Sequence, residues 1–216
     1  MKNINVPYIE SVETMDFDRM QEIMEEHAAK AFISENNWPD AFPYTPLAAA
    51  SVARSKTHLC ILFNVKGFDL RAVAMEDQGN SWEDSCCEFF VSHPSDGTYY
   101  NFELTCIGTL LASKRTDREH AEFLPKEQMQ RIIRHSSLEK KPYDISDRIF
   151  SWSTAMCIPF EIFGANSENL PDSLRANFFK CGDLTSHVHF LSWNPIESPS
   201  PDFHKPEFFG EIKFSK

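Results

Sequence analysis

The sequence predicts a mainly β protein, an antiparallel β-sandwich of two sheets with short peripheral helices. Most apolar segments are short and bounded by Pro, Gly, Asp, Asn or Ser, which is typical of strands joined by turns. No helical pattern is long enough to supply the crossover helices of a parallel βαβ sheet. The length of 216 residues favours a single domain over residues 1–216, of which 1–36 form an N-terminal extension.

The elements follow from local patterns. Asp16 can cap a short helix that carries Phe17, Met20, Ile23 and Met24 on one side, and we expect this helix to cover an edge of the sandwich. The segment HLCILFNV at 58–65 is apolar on both faces, which predicts a central strand. Further strands are predicted at 69–75, 86–92, 99–107, 109–115, 131–136, 151–158, 175–182, 189–193 and 208–214. Segment 118–130 is helix-like or loop.

Charge and hydropathy exclude several classes of partner. The 32 acidic and 21 basic residues give a net charge of −11, the wrong sign for a surface that binds phosphates, so no nucleic acid is expected. No run of about 18 apolar residues predicts a membrane span, and no signal peptide is visible at the N-terminus. As written, the protein is expected to be cytoplasmic, or exported if the sequence is a processed form. The oligomeric state stays open.

Six cysteines raise the question of disulfides and metal sites. Cys60, Cys106, Cys157 and Cys181 lie in apolar segments without CxxC spacing, which predicts buried, reduced thiols. The adjacent pair Cys86-Cys87 would point to opposite faces of a strand, so these two thiols are not expected to chelate one zinc ion together.

Three segments carry polar residues where chemistry could occur. In YYNFELTC, Asn101 and Glu103 alternate with apolar residues, as in an ordinary half-exposed strand or in the polar floor of a binding groove. In NSWEDSCCEFFVS, Trp82 precedes a strand on which Glu88 is flanked by apolar groups. These residues either close the end of the sandwich or form an aromatic platform with a hydrogen-bond acceptor. Sugars suit the second arrangement, because they present apolar C–H faces and polar edges.

The third segment, 175–210, concentrates charged, amide and aromatic side chains within some thirty residues. Trp193 ends a predicted strand and is followed by the turn Asn194-Pro195, so that Trp82 and Trp193 could flank one slot. Arg175 begins the same segment and offers a hydrogen-bond donor.

Together, WEDSCCEFF, YYNFELTCIG, RANFFKCGD, HFLSWNPI and PDFHKPEFFG resemble the family 9 carbohydrate-binding modules over residues 37–214, and more closely their stand-alone bacterial relatives with a DOMON-like sandwich fold. The resemblance implies a sugar, at a chain's reducing end, held between two tryptophans. By this resemblance Trp82 and Trp193 stack on the sugar, Glu88 accepts its hydroxyl hydrogens, and Asn101 and Arg175 supply further hydrogen bonds. It also implies structural calcium, whose ligands the resemblance does not assign to residues of this chain.

Other functions remain open at this point. A glycoside hydrolase needs two carboxylates across a cleft, and Glu88 with Glu103 on paired strands offers a pair. A metal enzyme would use His187 and His189, which share one strand face. Asp183, Asp202 and His204 could complete that metal site. A haem site would need an axial ligand, for which His93 is a candidate. The favoured hypothesis is non-catalytic binding of a saccharide or polysaccharide chain end, without catalytic residues or a cofactor, and with hydrolysis of O-glycosyl compounds as the alternative.

Overall fold

Two β-sheets dominate residues 1–214, the part of the chain that the computed structural model describes. The strands are β1 (Asn3–Val6), β2 (Ala29–Phe32), β3 (Glu35–Asn36), β4 (Leu47–Arg54), β5 (His58–Ala72), β6 (Cys86–Ser92), β7 (Tyr99–Thr105), β8 (Leu110–Arg115), β9 (Ala121–Phe123), β10 (Ile133–Ser136), β11 (Tyr143–Pro159), β12 (Ser173–Cys181), β13 (Phe190–Ser192) and β14 (Gly210–Phe214). The helices are α1 (Phe17–His27) and α2 (Lys126–Met129), with short 3-10 turns at Val12–Thr14, Ser81–Glu83, Phe160–Phe163 and Pro206–Phe208.

Within residues 1–214, the sheets have nine and five strands. The larger sheet has the order β1-β14-β12-β6-β7-β8-β9, and β13 and β3 continue it from β12 by a side branch. The smaller sheet has the order β10-β11-β5-β4-β2. All pairs between these strands are antiparallel except β1 with β14. The predicted mainly antiparallel β-sandwich is therefore confirmed.

The nine-stranded sheet is buried on both faces, which explains why its central strands look apolar throughout. Phe89, Phe102 and Phe178 point towards the five-stranded sheet and form the main core with residues of β4, β5 and β11. Their neighbours Phe90 and Phe179 point to the opposite face, which we call the outer face. Residues from the segments 38–42 and 190–209 cover this outer face and leave one end of it open.

Strand lengths differ from the prediction. The separate strands expected at 58–65 and 69–75 are one strand, β5, because its pairing with β11 continues through Gly67. Strand β4 was not predicted, since its sequence LAAASVAR is rich in alanine, a poor strand former. It forms because its backbone pairs with β2 and β5 and its central side chains are buried. Segment 118–130 forms β9 and α2.

The N-terminal helix begins where the sequence predicts. Asp16 Oδ1 accepts a hydrogen bond from the backbone N–H of Arg19 at 3.0 Å, which caps α1. Met20 and Met24 are fully buried and pack against the side of the five-stranded sheet that faces away from the main core. The helix therefore covers a sheet face, where the sequence predicted an edge.

Two of the thiols predicted to be reduced form a disulfide. Cys60 on β5 and Cys157 on β11 lie directly opposite each other, with their Cα atoms 4.1 Å apart. Neighbouring antiparallel strands bring side chains this close only where the two residues are directly paired, and the sequence does not reveal that register. Cys106 and Cys181 are free and buried, as predicted, and Cys86 and Cys87 are also free and buried.

Among residues 1–214, the structure contains no helix with both the length and the apolar character required to cross a lipid bilayer.

Candidate functional site

A cleft of about 290 Å³ opens on the outer face of the nine-stranded sheet, at the end where β6 begins and β12 ends. Its floor consists of side chains from β6, β7 and β12, and its rim comes from the 3-10 turn before β6, the segment after β8 and the 201–204 loop. The lining residues are Trp82, Glu88, Glu103, Arg115, Arg118, Cys181, Asp183, Phe190, Pro201, Asp202, Phe203 and His204. The cleft therefore combines aromatic rings with carboxylates and two guanidinium groups.

Trp82 stands at the mouth of this cleft with 36% of its surface exposed, whereas Trp38, Trp152 and Trp193 are at most 7% exposed. Its turn is held against the segment that follows β12, because the backbone N–H of Asp183 donates to the Trp82 carbonyl at 3.1 Å. An indole that is held in this way and is partly exposed can stack on an apolar ligand surface.

A buried carboxylate anchors the loop that carries Trp82. Asp84 Oδ2 accepts hydrogen bonds from the backbone N–H groups of Val73 and Ala74, both at 2.8 Å. Asp84 Oδ1 pairs with the guanidinium of Arg71. These contacts tie the start of β6 to the end of β5, so that Trp82 and Glu88 keep a fixed spacing.

Glu88 and Glu103 form the acidic floor. They are directly paired across β6 and β7, and each is at most 4% exposed. Burial raises the pKa of Glu88 well above its usual range, and the nearby Cys181 and Glu103 add to this shift. Burial also raises the pKa of Glu103 to about 7, although Arg115 partly offsets it. Because both carboxyls lie side by side on one floor, they do not face each other across the cleft.

Asn101 lies on the same face of β7 as Glu103, fully buried, but it does not line the cleft. Its Nδ2 donates to Glu103 Oε1 at 2.7 Å, and its Oδ1 accepts from Arg115 Nε at 3.1 Å. The structure therefore places this predicted ligand-binding residue where it orients two cleft residues.

The prediction that Trp193 stacks on a ligand is wrong, because Trp193 is 3% exposed and belongs to the main core. Its ring packs edge-on against Phe178, with centroids 5.6 Å apart, and against the backbone of Gly210. The reason is strand parity. Phe190 lies opposite Cys181 on the outer face, and Trp193, three residues later, points inward. Trp82 and Trp193 therefore do not flank one slot.

Arg175 is also absent from the cleft. It lies on the same face of β12 as Cys181 but six residues before it, about 20 Å along the strand. Its guanidinium donates to the carbonyls of Glu207 and Phe209 at 2.9 and 2.8 Å. Its position indicates that it holds the 206–208 turn against the sheet.

The histidines singled out in the sequence do not converge on a metal. His187 Nδ1 lies 3.0 Å from Asp69 Oδ2. His189 uses both ring nitrogens, one with the carbonyl of His187 and one with the buried Lys180 at 2.8 Å. His93 Nδ1 accepts backbone N–H groups of its own turn, as expected of a turn residue.

A sequence profile described as carbohydrate-binding family 9 matches residues 18–214. The chain belongs to this family. Its structure is similar to the crystal structure of a candidate carbohydrate-binding protein from Bacteroides uniformis ATCC 8492, with a TM-score of 0.90, 33% identity and 99% of each chain covered.

Two further structures share the fold of this family 9 chain. Both are of a family 9 carbohydrate-binding module from Caldicellulosiruptor kristjanssonii. The complex with cellotriose has a TM-score of 0.59 and 12% identity, over 99% of this chain and 93% of the module. The complex with glucose has a TM-score of 0.55 and 16% identity, over 99% and 96%. No curated protein matches the sequence.

The resemblance of this family 9 chain implies structural calcium. Within residues 1–214, the groups of side chains that could bind a metal ion do not fit calcium. Two groups bring three potential ligand atoms within 4.8 Å of one another. One is Cys86, Glu88 and Cys181, which has too few oxygens for calcium. The other is Asp69, Asp147 and His187, in which the Asp69 oxygens already accept the backbone N–H groups of Asp147 and His187.

His204 should make the stability of this family 9 chain depend on pH. Its Nδ1 lies 2.9 Å from the hydroxyl of Tyr99, and burial, helped by Arg115, lowers the pKa of His204 from 6.5 to about 3. The imidazole is therefore neutral in the folded state but charged in the unfolded state between these values. The contribution of neutral His204 to the free energy of unfolding is therefore fully present above pH 6.5. It is lost as the pH falls from 6.5 towards 3.

The variant His204→Gln isolates this effect. We expect the stability advantage of the parent protein over His204→Gln to shrink by about 2 kcal/mol between pH 7 and pH 4.5, as measured by urea unfolding. A difference that stays constant over this range would contradict a neutral, buried His204.

Proposed function

We propose that this protein binds a saccharide non-catalytically in the cleft at Trp82, with the apolar face of a sugar ring on the indole and its hydroxyls directed to the acidic floor. The observation that carries the proposal is the pairing of one exposed tryptophan with buried carboxyls in a single cleft. Membership of carbohydrate-binding family 9, and the cellotriose and glucose bound by similar structures, support the same ligand class.

The second apolar wall in this proposal comes from Phe190 and Phe203. Both line the cleft, and Trp38 packs behind them at centroid distances of 6.4 and 6.3 Å. They take the place that the sequence assigned to Trp193. A volume of about 290 Å³ lies near the lower limit of small-molecule sites, which suits one or two sugar rings at a chain end.

The polar partners in this proposal are Glu88, which accepts hydroxyl hydrogens, and Arg115 and Arg118, which donate. Asn101 contributes indirectly by orienting Glu103 and Arg115. Each hydroxyl exchanges bonds to water for bonds to protein, a net gain of about 1 kcal/mol, so we expect modest affinity. The Cys60–Cys157 disulfide supports the exported form of the protein, where polysaccharide ends are accessible, because disulfides persist in oxidising compartments.

Calorimetric titration with glucose, cellotriose and xylotriose tests the proposal. We expect at least one of these sugars to bind, and Glu88→Ala to weaken its binding by about tenfold, because leaving a buried hydrogen-bonding group unpaired costs about 1–3 kcal/mol. The affinity of Glu88→Gln for the sugar should lie between the affinities of Glu88→Ala and the parent protein. Glu122→Gln on β9 is the matched control, since Glu122 is exposed and outside the cleft.

The same samples separate binding from hydrolysis. The oligosaccharides should be recovered unchanged after long incubation with the protein. Absence of heat with every sugar, or equal affinity in Glu88→Ala and the parent protein, would overturn the proposal.

A further inference from the structure

Two thiols and a carboxyl meet at the base of the cleft. Cys86 on β6 and Cys181 on β12 are directly paired across the strands, and Glu88 follows Cys86 by two residues, on the same outer face. The Cys181 thiol donates to Glu88 Oε1 at 3.0 Å, and one ligand atom from each of the three residues lies within 4.8 Å of the others. The strand register itself brings these atoms together.

The surroundings of this cluster add a second observation. Glu103, paired with Glu88 on the next strand, is 4% exposed, and its Oε2 is buried without a hydrogen-bond partner. Buried polar atoms in folded proteins rarely lack a partner, and an ordered water or an ion usually supplies one. Cys181 and Glu88 line the cleft, so an ion can reach them from solvent.

We propose that Cys86, Cys181 and Glu88 form a binding site for a thiophilic divalent cation of the zinc class, with a fourth coordination position open to the cleft. Two thiolates favour zinc and similar soft cations over magnesium or calcium. Ligands around a tetrahedral zinc ion lie about 3.8 Å apart for Zn–S bonds near 2.3 Å. The present spacing therefore needs only small side-chain rotations.

Binding at this site exchanges protons for the cation without any redox change. Burial raises the pKa of Cys86 to about 12 and that of Cys181 well above its usual value, so both thiols carry protons in the free protein. The cation forms two metal–sulfur bonds and one metal–oxygen bond. The two thiol protons, and that of the Glu88 carboxyl when it is protonated, leave to solvent. This proposal does not rest on the proposed saccharide binding.

Titration of the reduced, metal-free full-length protein with Co²⁺ and then Zn²⁺ tests the site. We expect one equivalent of Co²⁺ to produce thiolate-to-cobalt charge-transfer absorption, and Zn²⁺ to displace it. The double variant Cys86→Ser/Cys181→Ser should bind more than about 100-fold more weakly, since losing even an outer-shell partner can cost that much.

Cys87→Ala is the matched control, because Cys87 is the adjacent thiol but points into the main core. It should keep the full charge-transfer signal. If the double variant fails to fold, Glu88→Gln, which keeps both thiols, should still weaken Co²⁺ binding. The proposal is overturned if the parent protein gives no charge-transfer band, or if the band survives in the double variant. A saccharide titration in the presence of a metal chelator tests the proposed saccharide binding separately from cation binding.

Discussion

The variant Trp82→Ala is expected to bind saccharide about 30-fold more weakly than the parent protein while unfolding at the same denaturant concentration. The loss corresponds to about 2 kcal/mol, a typical free energy for burying one large apolar side chain against a ligand. Stability should change little, because the ring is 36% exposed and belongs to none of the hydrophobic clusters of residues 1–214. Calorimetry gives the affinity and urea unfolding gives the stability.

Arg175→Ala is the control for this experiment. It removes a large side chain from the outer face of the same sheet, about 20 Å from Cys181 along β12. Its affinity for saccharide should equal that of the parent protein. If Arg175→Ala abolishes binding and Trp82→Ala does not, the ligand lies elsewhere on the outer face.

The variant Trp193→Ala is expected to lose about 3–5 kcal/mol of unfolding free energy, the usual cost of removing a large aromatic ring from a core. Trp193 is 3% exposed and packs on Phe178 and on the backbone of Gly210, so its removal leaves a cavity between the sheets. Urea unfolding measures the loss. For a domain of marginal stability, this change can leave much of the protein unfolded.

The milder variant Trp193→Phe separates stability from binding. It should be less stable than the parent protein but should bind saccharide within about twofold, because sites without shared contacts act independently. Normal stability in Trp193→Ala together with abolished binding would instead place this ring in the binding site, as the sequence alone suggested.

Local patterns predicted the parts of the site that lie close together along the chain. Trp82 and Glu88 are six residues apart, in one turn and the strand that follows it, so their joint presence at the cleft requires only that β6 begin at Cys86. The alternation of Asn101 and Glu103 with apolar residues indicated a polar strand face, but the half-exposed strand expected there is wrong, because β7 is buried on both faces. The fold class followed from the same short-range information, since turn residues mark most strand ends.

The second wall of the cleft depends on register, which the sequence does not reveal. Strand β13 has three residues, and its pairing of Phe190 with Cys181 decides which aromatic side chain faces outward. A shift of one residue would exchange the faces of Phe190 and Trp193. Phe203 reaches the cleft through a loop folded back over β12, a long-range contact without a local signal.

Arg175 shows a second limit of sequence patterns. It lies on the correct face of the correct strand, but the position of the cleft along β12 depends on where the loops leave the sheet open. The Cys60–Cys157 pair is similar, because 97 residues separate the two cysteines and only the β5–β11 register brings them together. In both instances, contacts between segments that are distant in the sequence determine the position of the residue, and residue type and local sequence order do not predict such contacts.

The most direct test of the account follows the four indole N–H signals of the nitrogen-15-labelled protein by NMR during titration with cellotriose. We predict that the Trp82 signal shifts with ligand, that Trp38 moves less through its contacts with Phe190 and Phe203, and that Trp152 and Trp193 stay in place. A titration in which the Trp193 signal moves and the Trp82 signal does not would contradict the assignment of the cleft as the saccharide site.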